Sequence, residues 1–586
     1  MDYRVSMEEP HRHLFEVEAA LERPGPAAVL ALPVWTPGSY LVREFARHLE
    51  GLRAEDGEGR PLAVERIDKQ RFLVRAGGAA RAVVRYRVYA NDLSVRTCHL
   101  DGTHGYWNGA ALFLHAEGRE AEPCRVEVRA PEGWRVATAL EGGPFAFRAP
   151  DYHALVDAPV EVGTHRSARF TALGKEHEIA IWGAGPLDLD RFAADVRRIV
   201  EHLGGLMGGL PYQRYLFLVH LSDRRRGGLE HAASTSLQVA RNGFHPREAY
   251  VETLSLVAHE LFHAWNVKRL RPRALLPYDY AREQYTRLLW WFEGVTSYYD
   301  HLALSRAGLI DGPALLKHLG EELTALARTP GARKMSPEEA SFLAWVKHYR
   351  PDENSLNSAV SYYLAGECVA FALDLLLRSR GSSLDALLLR LYQRHAADGL
   401  PEDGVEREAA EILGERVARE FFDAHVRGAA PLTEELDPAP LGLALRRRAG
   451  EGPEDKGGTP GRPGERERPA AGWLGADLGP NSKLLVTAVR EGSPAERAGL
   501  YAGDELVAEG GFRLDKALLQ DRLRERGPHG ELRLHVFRRD ELLELPVRLG
   551  PPPEDALWLE PREGAGAAER EAFQRWCGAD FPSRGA

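Results

Sequence analysis

The residues best placed to do chemistry are His259-Glu260-Leu261-Phe262-His263, two imidazoles four positions apart in a stretch, Glu252 to Trp265, that predicts one helix. Positions i and i+4 share a helix face, so the two rings can hold one Zn2+ between them. Glu260, one position along, can reach a water at that ion and act as a general base. Two histidines leave such a site short of a third protein ligand. Glu293 is the best candidate, because it falls inside the apolar run 288-LLWWFEGVTSYYDHLAL-304, where a carboxylate is costly to bury unless it is paired or bound to metal. This pattern points to metal-assisted hydrolysis.

The elements around these residues are written in the same periodicities. Residues 253–265 contain no Gly or Pro, and Leu254, Val257, Leu261, Phe262 and Trp265 recur at three- and four-residue spacings beside the histidine side. Leu288, Trp291, Phe292, Val295, Tyr299 and Leu302 do the same on the next predicted helix. Residues 1–165 read as short alternating strands separated by Gly, Pro and Asp turns, a β-rich first domain. Strand patterns return at 177–183 and 214–221 around a helical stretch, 189–208, and helical periodicity dominates from about 250 to 430. Residues 449–471 are Gly, Pro and charge, and read as a flexible linker. A compact segment follows at 472–550, and 551–586 form a tail with a short helical pattern at 569–578.

Length and composition bound the possibilities. A chain of 586 residues is too long for one core and predicts several domains. With 44% hydrophobic and 28% charged residues and a formal net charge of −10, it reads as globular, with no global electrostatic case for nucleic acid. Cys98, Cys124, Cys368 and Cys577 are scattered without ligand spacing and predict reduced thiols. The start lacks a basic segment followed by an apolar one, and no run approaches eighteen apolar residues, so the expectation is a cytoplasmic protein with no membrane partner.

His259, Glu260 and His263, followed by Glu293 in a W-x-x-E-G-x-T-x-Y-Y setting, resemble the gluzincin clan, and within it the PDZ-containing glycyl aminopeptidase family. The stretch 267–285 accounts for a wider gap between His263 and Glu293 than in the aminopeptidase N and leukotriene hydrolase relatives. The segments 34–52, 89–115, 226–235, 358–367 and 472–548 resemble further parts of that family in its order. The resemblance implies a multidomain α+β fold: the β-rich domain, a thermolysin-like, mainly helical zinc peptidase domain at 166–448, and a PDZ domain at 472–550. It implies Zn2+ as cofactor, held by His259, His263 and Glu293, with Glu260 as catalytic base.

Gly228, Glu230 and His231 are similar to the family's substrate-binding strand, whose Glu takes the free α-amino group. Tyr363 aligns with the relatives' oxyanion donor; the adjacent Tyr362 stays open as the alternative. The PDZ resemblance implies a loop at Trp473, Leu474, Gly475 and Ala476 that receives a peptide or protein C-terminus. The implied activity is removal of an N-terminal residue, Gly or Ala, from peptides with a free N-terminus. Two rivals remain: an endopeptidase on the same zinc scaffold, and a non-catalytic, chaperone-like PDZ protein that binds peptides. Intramembrane site-2 proteases also join H-E-x-x-H to PDZ, but they require spanning helices.

Overall fold

The computed structural model describes residues 1–223, 226–452, 454–461, 470–480 and 483–583. The chain forms two compact units, Met1–Tyr285 with Leu391–Pro401, and Thr286–Arg390 with Glu402–Ala586.

The first unit opens with an eleven-stranded sheet drawn from residues 2–149. Strict alternation makes one face of it, as in Cys124–Arg129, where every second residue is buried. Phe15, Val17, Val84 and Trp107 belong to its core. A four-stranded sheet orders Arg135–Thr138, Val160–Gly163, His104–Trp107 and Cys98–Leu100.

A five-stranded sheet follows, in the order Arg166–Ala172, Lys175–Trp182, Arg214–Ser222, Ser234–Ala240, Gly227–Glu230. Its three inner strands run parallel, and Arg214–Ser222 is buried on nearly all its length, as a central strand covered on both faces must be. Helix Leu189–Leu206 makes the crossover; Asp188 caps it through Arg191 N at 3.0 Å, and Phe192, Val196, Ile199 and Leu203 form its buried stripe. The sheets meet at a small apolar cluster of Tyr106, Ala137, Ala180, Leu216 and Leu218. There Tyr106 Oη also donates to Ser236 Oγ at 2.9 Å.

The second unit is helical from Trp290 to about residue 435. The predicted helix 288–304 begins as a π-helical turn, Trp290–Val295, and becomes α-helical at Thr296–Arg306. The widened turn lies where two glycines let backbones touch: a Cβ on Gly294 would meet Gly366 Cα, and a Cβ on Gly366 would meet the Trp290 carbonyl. Helix Tyr362–Ser379 carries Gly366. The stretch Ser355–Ser379 is long and apolar enough to cross a membrane, yet 78% of its apolar window is buried inside the fold, as in a core helix.

Residues 476–548 build a separate sheet with its own core, including Leu474, Val486, Leu506, Leu532 and Val536. Strand Ala476–Leu478 is one edge. The flanks of this sheet are ordered, and the short helix expected near 569–578 is present and docked. Leu443–Arg448 pairs antiparallel with Ala556–Pro561, and helix Ala567–Cys577 buries Phe573 and Trp576, with Trp576 Nε1 donating to Tyr298 Oη at 2.7 Å.

The described part of the expected linker, up to Gly461, is anchored as well. Asp455 accepts from Arg448 Nη2 at 3.0 Å and from Gly457 N at 2.9 Å, and Gly458 N donates to Leu557 O at 2.7 Å. Charge and glycine, read from composition as solvation and freedom, here supply an ion pair and close backbone contact. Residue 453 and residues 462–469 of that expected linker lie outside the described residues.

Candidate active site

The H-E-x-x-H helix runs Arg247–Phe262, so it stops three residues short of the predicted end and places His263 at its C-cap. The His259 and His263 ring centroids are 4.8 Å apart and their planes cross at 83°. His263 Nδ1 lies 2.9 Å from the Asn266 carbonyl, which can only accept. The ring proton is therefore on Nδ1, and Nε2 presents its lone pair, the arrangement of a metal-ligating histidine with a fixed tautomer. Past the helix the backbone reverses at Val267, a β-branched residue held at φ 128°. Such a conformation costs about 1–3 kcal/mol and persists only where its surroundings impose it. Here the reversal carries Lys268 N back to the His263 carbonyl at 3.0 Å.

Glu260 and Glu230 face the same space. Both are buried, with 6% and 4% of their surface exposed, and ligand atoms of Glu230, Glu260 and His263 all lie within 4.8 Å of one another. Two buried carboxylates this close repel unless a cation or a proton is shared between them. Glycines make the crowding sterically feasible. A Cβ on Gly228 would collide with the Glu260 carboxylate, and a Cβ on Gly38, at φ +89°, would collide with that of Glu230. The edge strand Gly227–Glu230 is held from the β-rich region by Arg96 Nη2, which donates to Gly228 O at 3.2 Å.

Behind Glu230 lies a network that sequence reasoning missed. Asp157 accepts from Lys268 Nζ at 2.6 Å, from His231 Nδ1 at 3.2 Å and from Ala232 N at 2.9 Å. Burial works to raise the Asp157 pKa, but the Lys268 charge and the His231 contact hold it well below the usual carboxylate range. Burial likewise works to lower the Lys268 pKa, and the charge of Asp157 more than reverses it. His231 Nε2 is buried with no hydrogen-bond partner among the described residues. Nothing in the linear spacing joined residue 268 to residue 157.

The second unit holds the other predicted residues. Glu293 sits in the π-helical turn with 2% of its surface exposed. Tyr362 and Tyr363 open helix Tyr362–Ser379, their rings stacked at 4.7 Å, and His348 lies 5.4 Å from the Tyr363 ring. Tyr362 is fully buried, whereas Tyr363 is partly exposed. In the C-terminal sheet, Trp473 exchanges backbone hydrogen bonds with Gly550, Leu474 is buried, and Gly475 takes φ +79° just before the edge strand that starts at Ala476.

Imidazole nitrogens with buried carboxylates suit a borderline divalent ion such as Zn2+ over Ca2+ or Mg2+. A lone pair fixed on His263 Nε2, beside two carboxylates that need positive charge, fits that ion.

Comparison with known proteins identifies the family. The description Peptidase M61 N-terminal domain matches residues 2–164, and M61 glycyl aminopeptidase matches residues 252–369. No curated protein matches the chain. The crystal structure of an aminopeptidase N family protein from Idiomarina loihiensis is 33% identical, covers 98% of this chain and 99% of its own, and superposes with a TM-score of 0.92. An M1 zinc metallopeptidase from Deinococcus radiodurans is 13% identical over 73% of this chain and 93% of its own, with a TM-score of 0.47. On the two matched segments and the relative that spans it end to end, the chain belongs to the M61 glycyl aminopeptidase family and is a zinc metallopeptidase.

Proposed function

We propose that this aminopeptidase releases an N-terminal Gly or Ala from peptides, with His259, His263 and Glu293 holding the Zn2+. The observation that carries the reading is the pair of buried carboxylates, Glu230 and Glu260, gathered beside His263. One of them has a use for a proton and the other for an ammonium group.

When bound, zinc supplies a Lewis acid that acidifies water and polarises a carbonyl. Glu260 accepts a proton from the attacking water and returns it to the leaving amine. Glu230, on the edge strand, pairs with the substrate's α-ammonium, while the strand's backbone can align the peptide. Gly228 keeps the Glu260 carboxylate close to that strand, since any side chain there would displace it. His231, steadied by Asp157, lines the same end of the strand. Tyr363 donates to the oxygen that gains charge; its partial exposure favours it over the buried Tyr362.

Matched free and N-acetylated peptides test the exopeptidase reading. Acetylation removes the charge that Glu230 binds and leaves a desolvated carboxylate unpaired, a loss of about 2–3 kcal/mol or roughly 30- to 160-fold in rate. Glu230→Ala narrows that gap by slowing the free peptide. Efficient internal cleavage of the acetylated set overturns the assignment in favour of an endopeptidase.

We further propose that residues 472–550 form a PDZ domain that takes a peptide C-terminus at Trp473, Leu474, Gly475 and Ala476. The support is the edge strand Ala476–Leu478, which among the described residues pairs on one side only, so that an extended peptide can add to it as a strand. Titration of labelled peptides with free and amidated C-termini checks it. Equal binding of both removes the carboxylate from the reading.

A further inference from the structure

We propose that His104, Glu161 and His220 form a second divalent-metal site, one that staples two sheets together and takes no part in hydrolysis. His104 and Glu161 come from neighbouring strands of the four-stranded sheet, and His220 comes from the central strand of the five-stranded sheet. His104 Nδ1 lies 3.0 and 3.2 Å from the two oxygens of Glu161, and His220 Nε2 lies 2.9 Å from the second of them. All three side chains are at most 1% exposed.

The donor geometry parallels that of the H-E-x-x-H pair. The His104 and His220 rings are 5.6 Å apart and cross at 76°, against 4.8 Å and 83° for His259 and His263. Imidazole lone pairs lie in the ring plane, so crossed planes can meet at one ion. Two nitrogens and one carboxylate give three protein ligands, a set that binds zinc, and the second carboxylate oxygen can occupy the fourth position.

Charge favours a cation as well. Among the described residues the ion-pair partners of Glu161 are the two imidazoles, with no Lys or Arg. A carboxylate buried this deeply needs a positive counterpart.

The surroundings of His104 supply what a ligating histidine requires, while His220 Nδ1 is buried with no hydrogen-bond partner among the described residues. His104 Nε2 is 2.8 Å from His99 Nδ1, so a proton on Nε2 can be donated outward to His99 while Nδ1 turns its lone pair to the carboxylate. Trp182 stacks on the His104 ring at 3.6 Å and 9°, fixing its plane. The site sits in the seam already closed by the Tyr106 cluster, which makes its role mechanical.

Zinc content of the full chain, desalted after saturation with Zn2+ alone, decides the matter. The reading expects about two ions per chain in the wild type and about one in the double variant His259→Ala, His263→Ala, whose loss falls on the catalytic site only. His220→Gln lowers the wild-type count by one, lowers the thermal midpoint and leaves turnover within about twofold. If His220→Gln does not fold, the double variant alone still decides. One ion in the wild type with none in the double variant overturns the second site and leaves Glu161 sharing protons; two in the wild type with none in the double variant overturns it as well. Because the count in the double variant does not depend on turnover, failure here leaves the aminopeptidase reading untouched, and the reverse also holds.

Discussion

Two clusters in the first unit share the same parts, histidines and a buried glutamate, and differ in what carries them. At 259–263 one helix presents both rings, and a second carboxylate, Glu230, crowds in from an edge strand. At 104, 161 and 220 three strands from two sheets each contribute one residue, and Glu161 is the carboxylate that both imidazoles share, itself 1% exposed. A helix with a strand edge beside it leaves an open side, where a substrate can bring its own charge. Strands buried on both faces do not. The same donors therefore serve chemistry in one place and cohesion in the other.

A third cluster shows that composition alone is insufficient. Asp300, His301 and His318 also bring ligand atoms within 4.8 Å, but the two rings stack at 3.5 Å and 10°. Parallel planes do not converge on one ion, so this cluster is not built as the others are.

The largest expected contrast comes from one substitution made in both clusters. Glu260→Gln should lower turnover about 10^3- to 10^4-fold with zinc retained, because it removes the base and not a ligand. Glu161→Gln should leave turnover within about twofold and lower the melting midpoint. A Glu260→Gln enzyme at wild-type rate would dissolve the distinction. Tyr363→Phe comes next: loss of one oxyanion donor should cost about 10^2- to 10^3-fold in kcat at constant zinc content, and an unchanged rate would move the role to Tyr362.

Asp157→Asn should act through the substrate end of the open cluster. It releases His231 and leaves Lys268 buried without its counter-charge, so we expect KM to rise about tenfold, kcat to hold, and stability to fall by about 3 kcal/mol. A fall in kcat at unchanged KM would show instead that Asp157 reaches the reacting groups.

The smallest effect tests the stacked cluster by pH. Burial works to lower the His318 pKa, but the charge and hydrogen bond of Glu367 lift it to about 9, while burial followed by Glu367 lifts Glu322 to about 8. The fold therefore holds protons on both groups that the unfolded chain releases. Their stabilisation is full below the ordinary range of each group and is lost as pH rises through about 8 and 9. Melting midpoints should decline from pH 6.5 to 9, and His318→Gln should flatten the decline; the same slope in both proteins would place the titration elsewhere.

The comparison also explains what was legible in the sequence. The open cluster could be read because a helix converts spacing into proximity: His259 and His263 had to share a face, and Glu293 announced itself as a charge in an apolar run. Strand clusters carry no such signal. His104 and Glu161 are 57 positions apart, and Glu161 and His220 are 59, so nothing in the linear sequence joins them. Asp157 and Lys268 were hidden for the same reason. Helix and strand patterns largely placed the elements, whereas the π-helical start at Trp290 depended on Gly366, far along the chain.

The pairing of Leu443–Arg448 with Ala556–Pro561 gives the 472–549 module an unusual topology: it is an insertion, hung from both ends of one antiparallel ribbon. Cutting the chain at 449 would therefore not excise it cleanly, because that cut also strips away the closing strand and the helix that seats Trp576. Joining residue 448 to residue 556 through a two-residue hairpin would. The outgoing leash from Gly550 to Ala556 has five intervening residues, whose extended reach is about 20 Å. The module does not swing on that leash: Asn357 Nδ2 donates to Val489 O at 2.8 Å and Glu491 N donates to Asn357 Oδ1 at 2.9 Å, so a peptide taken up there would be held at one fixed place on the second unit.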